Sequence, residues 1–135
     1  ASKKENIKKN IIEAQKKKYI LICDRFTDST YAYQVVGKKI SKKINILNNK
    51  YIVGSLKPDL TIVLKSKIKT ALDRIKKRKK SNKFDKLRKD FYVKAQKAFV
   101  KISKFKSHYY LFDTTINNKD VEKKIFHLVI KKLNN

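Results

Sequence analysis

The chain has 135 residues, 37 of them Lys or Arg against 11 Asp or Glu, for a formal charge of +26; 41% are hydrophobic and 10% aromatic. That is material for one domain of ordinary size, and a single cysteine excludes an intrachain disulfide and a cysteine-based zinc site. The two glycines, Gly37 and Gly54, stand in no Gly-x-x-x-x-Gly-Lys-Ser/Thr pattern, so these residues hold no phosphate-cradling loop of that kind.

In chain order, Ile7, Ile11, Ile12 and Ala14 recur three to four apart and predict a helix from Ala1 to about Lys17. The continuous apolar run Tyr19-Ile20-Leu21-Ile22-Cys23 predicts a strand buried on both faces, with Cys23 a buried thiol. Asp28 or Ser29 is placed to cap a short helix through Tyr31 to Gln34. A helix at about 43–53 precedes a second strand, "DLTIVL" at 59–64, introduced by Pro58. Helices follow at about 67–79 and 86–105, then a third strand at "YYLF" (109–112), ended by Asp113. Val121, Ile125, Leu128, Val129 and Leu133 mark a last helix at about 119–133. Strands alternating with helices imply βαβ crossovers, hence an α/β fold: a parallel sheet with helices on both faces. In such a sheet ligands bind beyond the carboxyl ends of the strands, which is where "CDRFTDSTYAYQ" (23–34) is expected to lie.

A charge of +26 suits polyanions, because neutralising phosphates releases counterions. The basic residues are nevertheless spread along the whole chain, without one aromatic-interleaved stripe, and the excess of Lys, Ile and Asn fits AT-rich coding. This argues against nucleic acid as the partner; small anionic substrates gain from the same field through steering. With no apolar stretch near 18 residues and no signal peptide, no membrane association is expected and a cytoplasmic location is the default. His108 and His127 have no spacing for a metal site or a triad.

The polar cluster carries the chemistry. Asp24 can hold a metal ion or orient a cation, and Arg25 offers a planar fork suited to phosphate oxygens. The bland reading of that pair is a structural ion pair at a strand end. Thr30, Tyr33 and Gln34 recur at i, i+3 and i+4, so a hydroxyl, a phenol and an amide share one helix face. Together they can hydrogen-bond a planar base and pack a sugar; the alternative is a half-buried helix that happens to carry them.

"DRFTDSTYAYQ" resembles the Asp-Arg-aromatic-x-x-Ser-x-x-Ala-Tyr-Gln signature of bacterial thymidylate kinases, which move the γ-phosphate of ATP onto dTMP. "LKPDLTIVL" (56–64) is similar to the family's Pro-Asp-x-Thr strand, "ASKKENI" to its Ala-Ser-Arg helix, and "RIKKRKKSNKFD" (74–85) to its mobile lid. The resemblance implies a single, partial domain over 1–135 of the P-loop nucleoside monophosphate kinase type, incomplete at its N-terminus, with the lid at about 74–85. It further implies Mg²⁺ and ATP as cofactor and donor, and a homodimer when complete. Asp24 would then organise the Mg²⁺ and phosphate region, through water and not as a direct ligand. Arg25 would contact the acceptor phosphate and Ser29 support that loop. Thr30 and Gln34 would meet the thymine edge, and Tyr33 would pack under the deoxyribose and disfavour a 2′-hydroxyl. Lys3 stands where the family has a base-binding Arg, keeping the charge without the fork. In the lid, Arg74 and Arg78 are retained, Lys83 replaces an Arg and Asp85 a Glu; the lid cations would clamp charge on the moving phosphoryl group. A basic, non-catalytic relative that binds nucleotides or nucleic acid is the competing reading.

In the family the phosphate loop precedes the point where this chain begins. The isolated 135 residues are therefore expected to form no ADP from ATP and dTMP. A coupled assay checks this, and turnover above background would refute it.

Overall fold

The computed structural model describes residues 3–33, 41, 43, 54, 56–78, 87–116 and 118–134. These fall into two compact units, Ala1–Lys57 and Pro58–Asn135, each considered by itself.

In the first unit, α1 spans Lys3–Lys16, with Ile11, Ile12 and Ala14 half-buried. Its end is a Schellman closure: the Tyr19 amide donates to Ala14 O at 2.9 Å and the Lys18 amide to Gln15 O at 3.0 Å. The closure requires a left-handed residue, and Lys18 takes that role with φ 53° where glycine is usual. Beyond it, residues 19–23 form no strand, contrary to the expectation from their apolar run. Ile20 is 64% and Ile22 89% exposed, and Cys23 is an exposed thiol, not a buried one. A strand exists only as one side of a ladder, and the described residues of this unit supply no second strand to complete it. Helix α2 covers Thr27–Thr30 and widens into a π-type turn at 31–33. It starts one residue before the expected caps: Phe26 is the N-cap, with no side-chain capping bond, and Asp28 lies inside the first turn. Ala32, fully buried, anchors the segment. The helix expected at about 43–53 lies outside the described residues apart from Lys43.

In the second unit the α/β pattern is realised. Strands β1 (Thr61–Lys65) and β2 (Tyr109–Asp113) pair in parallel, with Thr61 opposite Tyr109 and Lys65 opposite Asp113. Parallel neighbours cannot be joined by a hairpin, and the connection is helical: α3 (Ile68–Lys76) followed by α4 (Lys89–Lys104). Helix α4 packs on both strands and on α3. Its buried stripe, Phe91, Ala95 and Ala98, repeats at helical spacing, and the two alanines let the backbones approach closely. Val63 and Tyr109, 7% and 9% exposed, lie on the same face of the sheet by register and complete this core. The opposite face carries Leu64 and Tyr110, 58% and 40% exposed. Thr61 belongs to the inner face, and its buried Oγ1 has no hydrogen-bond partner among the described residues. The last helix, α5 (Lys119–Leu133), is capped as the sequence allows. Asn118 Oδ1 accepts from the Val121 amide at 3.4 Å, with Asp120 and Glu122 in the first turn and Lys131 and Lys132 in the last.

This packing predicts that Phe91→Ala destabilises the chain by about 3–5 kcal/mol. Phe105→Ala, at a side of the chain where the residue is 78% exposed, stays within about 0.5 kcal/mol. Denaturant midpoints at unchanged m-value check the pair.

Candidate functional site

Among the described residues, polar groups concentrate at one place in the first unit and at another in the second. In the first, the chain leaves the exposed 19–23 segment through Asp24 and Arg25, both exposed, and enters α2. Arg25 has φ 66°, a left-handed backbone that costs a side-chain-bearing residue roughly 1–2 kcal/mol. The Ser29 amide donates to Phe26 O at 3.1 Å and closes the turn that follows. The reversal brings Arg25 back onto the helix it precedes: its guanidinium carbon lies over the Tyr33 ring, 5.3 Å from the centroid. A cation over an aromatic face at an exposed site is worth about 0.5–1 kcal/mol, which offsets part of the backbone strain. Ser29, Thr30 and Tyr33 are half-buried, so they present polar atoms from a packed segment. Thus Asp24, Arg25, Ser29, Thr30 and Tyr33 are gathered within one turn and one short helix. Gln34, the Lys3 side chain and Lys83 lie outside the described residues.

The second place is the carboxyl end of the parallel pair. Lys65 and Asp113 are register partners, and their side chains meet, Nζ to Oδ2, at 3.2 Å. Asp113 Oδ1 accepts the Thr115 amide at 2.9 Å, an Asx turn that stops the strand. The Thr114 amide and hydroxyl both donate to Lys65 O, at 2.7 and 3.0 Å, extending the ladder one rung. Thr115 Oγ1 accepts the Lys67 amide at 2.9 Å, and the Ser66 amide donates to Gln96 Oε1 at 3.3 Å. Arg74, half-buried on α3, donates through Nη2 to Thr114 O at 2.7 Å and Thr115 O at 3.3 Å. Arg74 is therefore seated on the turn after β2, while Arg78, just past the end of α3, is exposed. Of the expected lid at 74–85, only 74–78 is described. Sequence reading took Asp113 as the end of a strand and did not select Lys65, Gln96, Thr114 or Thr115. The Asp-Thr-Thr run directly after an apolar strand was the available signal for a side-chain-closed turn.

Hydrogen bonding sets the charge here. The Asp113 carboxyl is lowered from 3.8 to about 2, by the Thr115 hydroxyl, then by the Thr115 amide, then by Lys65. Each of these partners favours the ionised form. Among the described residues no group of three or more His, Cys, Asp or Glu is placed to hold a metal ion, and no helix is long and apolar enough to cross a membrane.

A family model described as thymidylate kinase matches residues 1–125. The chain is 38% identical over 105 residues to a thymidylate kinase of Rickettsia typhi (strain ATCC VR-144 / Wilmington), a match covering 76% of this chain and 51% of that protein. It is 35% identical over 134 residues to the Rickettsia canadensis (strain McKiel) enzyme, covering 98% and 64%. It is 36% identical over 135 residues to that of Rickettsia bellii (strain OSU 85-389), covering 98% and 63%. The chain thus spans between about half and two thirds of the length of these relatives.

A carboxylate whose folded pKa is depressed contributes stability that is present above its unfolded value and lost as pH falls through the folded one. For Asp113 that window runs from about pH 4 down to about pH 2. Acid unfolding of the wild-type chain is expected to show a loss in this window that Asp113→Asn lacks. Superimposable acid profiles would show that the carboxylate's bonds do not matter to stability.

Proposed function

Because the chain belongs to the thymidylate kinase family, we propose that it supplies the acceptor-nucleotide site and the lid for phosphoryl transfer from ATP to dTMP, giving dTDP and ADP. The observation that carries this reading is the 24–33 segment. There a strained Arg stands beside an Asp, and a Ser, a Thr and a Tyr follow on one short helix with a buried Ala between them. In the proposed reaction an oxygen of the dTMP phosphate attacks the γ-phosphorus of ATP. One P–O bond forms as the bond to the β-phosphate breaks, and ADP leaves with that electron pair. Little covalent work is left to the protein, so its residues act by position and charge.

Arg25 binds the acceptor phosphate and offsets the repulsion between two anions brought together. Ser29 supports that turn. Thr30 and Gln34 read the thymine edge, with Lys3 supplying charge near the base. Tyr33 fills the space beneath the deoxyribose. Arg74, Arg78 and Lys83 bring lid cations toward the transferring group. Arg74 does this from a seat on the Thr114 and Thr115 carbonyls, with guanidinium donors on its other nitrogens. Magnesium, when bound with ATP, supplies charge neutralisation at the phosphates. Mg²⁺ keeps several waters and takes few carboxylates, and the exposed Asp24 fits that mode through one of those waters. A single catalytic domain, assembly as a homodimer and a cytoplasmic setting belong to the same reading. So does the inactivity of the 135 residues alone, which contain no phosphate loop of the Gly-x-x-x-x-Gly-Lys-Ser/Thr kind.

The charge of +26 favours a second reading, a basic relative that binds nucleotides or nucleic acid without catalysis. Calorimetric titration of the chain at rising salt separates the two. Saturable dTMP binding that tolerates salt, with UMP excluded by the wild type and admitted by Tyr33→Ala, is the outcome expected for an acceptor site. Binding of any DNA or RNA that falls steeply with salt, with no preference for dTMP, would install the second reading.

A further inference from the structure

We propose that Tyr33 is a positioning residue for Arg25: the ring is the platform that holds the guanidinium for the acceptor phosphate, in addition to any contact Tyr33 makes with the sugar. The inference rests on the reading of residues 24–33 as the acceptor-nucleotide site and deepens it.

Four observations converge. Arg25 is exposed, and an exposed Arg has many rotamers to lose before it can meet a ligand in one geometry. Its backbone is nevertheless committed to an uncommon left-handed conformation, with φ 66°. The guanidinium carbon lies 5.3 Å from the centroid of the Tyr33 ring, eight residues on. Tyr33 itself is half-buried and follows Ala32, which has no exposed surface, so the ring is mounted on a packed element and not on a free loop.

The chemistry of the contact suits the role. A cation is attracted to an aromatic face by the ring quadrupole, with the charge above the ring. The five N–H donors of the guanidinium lie in its own plane, so a contact through the ring face does not itself use the in-plane fork that matches phosphate oxygens.

The quantity that isolates this role is the phosphate increment, the ratio of dTMP affinity to thymidine affinity. General damage to the pocket lowers both affinities and leaves the ratio unchanged. Calorimetric titrations of the 135-residue chain with each compound are expected to show a phosphate increment that Arg25→Gln largely removes. Tyr33→Leu is expected to reduce it about two- to fivefold, the loss of one exposed cation–π contact. Tyr33→Phe, which keeps the ring, is expected to restore it. In parallel, the Arg25 side-chain proton resonances of the wild-type chain are expected to be shifted upfield by the ring current. That measurement needs no variant and stands if Tyr33→Leu does not fold. Absence of the upfield shift, or an equal phosphate increment in Tyr33→Leu and wild type, would overturn the positioning role and leave the acceptor site in place. Equal binding of dTMP and thymidine by the wild type, or no binding of either, would remove the site reading and this inference together.

Discussion

The parallel register of Thr61–Lys65 against Tyr109–Asp113 is the constraint on which the second unit depends. Parallel strands need a long crossover, and α3 and α4 provide it. The strand period of two then sorts the side chains: Val63 and Tyr109 turn toward α4, while Leu64 and Tyr110 turn away. Because Lys65 and Asp113 share the last rung, their opposite charges meet at the carboxyl end of the sheet. From there Asp113 closes the Thr115 turn, and Arg74 fastens the turn's carbonyls to α3. A shift of register by one residue would separate the charges and turn Val63 out of the core.

The described residues of the first unit are organised by backbone conformation more than by a ladder. Lys18 and Arg25 both adopt left-handed φ in a chain with two glycines. At Lys18 the Schellman bonds of α1 hold the conformation. Arg25 combines that conformation with a guanidinium carbon 5.3 Å from the centroid of the Tyr33 ring. Strain of this sort concentrates where a side chain must be held in one direction. In a chain so rich in lysine, net charge supplies attraction for phosphates but no direction. Direction comes where a cation is tied down, as Arg25 is over Tyr33, Arg74 on two carbonyls and Lys65 on Asp113.

The periodic signals in the sequence carried far. The spacing of Val121, Ile125, Leu128 and Val129 located α5, and that of Phe91, Ala95 and Ala98 belongs to the helix expected at about 86–105. The two apolar runs at 59–64 and 109–112 became β1 and β2 within one or two residues. The same kind of run at 19–23 did not become a strand, since apolar content says that a segment prefers burial and says nothing of what it pairs with. The caps at α2 were also misplaced, because Asp, Ser and Thr in succession each satisfy the same local rule.

Alone, then, the order of residues determined the helix and strand content of the second unit, the α/β class and the family, and it offered Asp24, Arg25, Ser29, Thr30 and Tyr33 as candidates for a site. Those are properties of spacing and of residue type, which survive in a linear string. Only the tertiary structure decided that Arg25 rests over Tyr33 and that Arg74 reaches Thr114 and Thr115. It likewise decided that Lys65 and Asp113 share a rung 48 residues apart. Such pairings depend on a left-handed φ, a strand register and a helix crossover acting together. None of these is a local preference of the residues that finally meet.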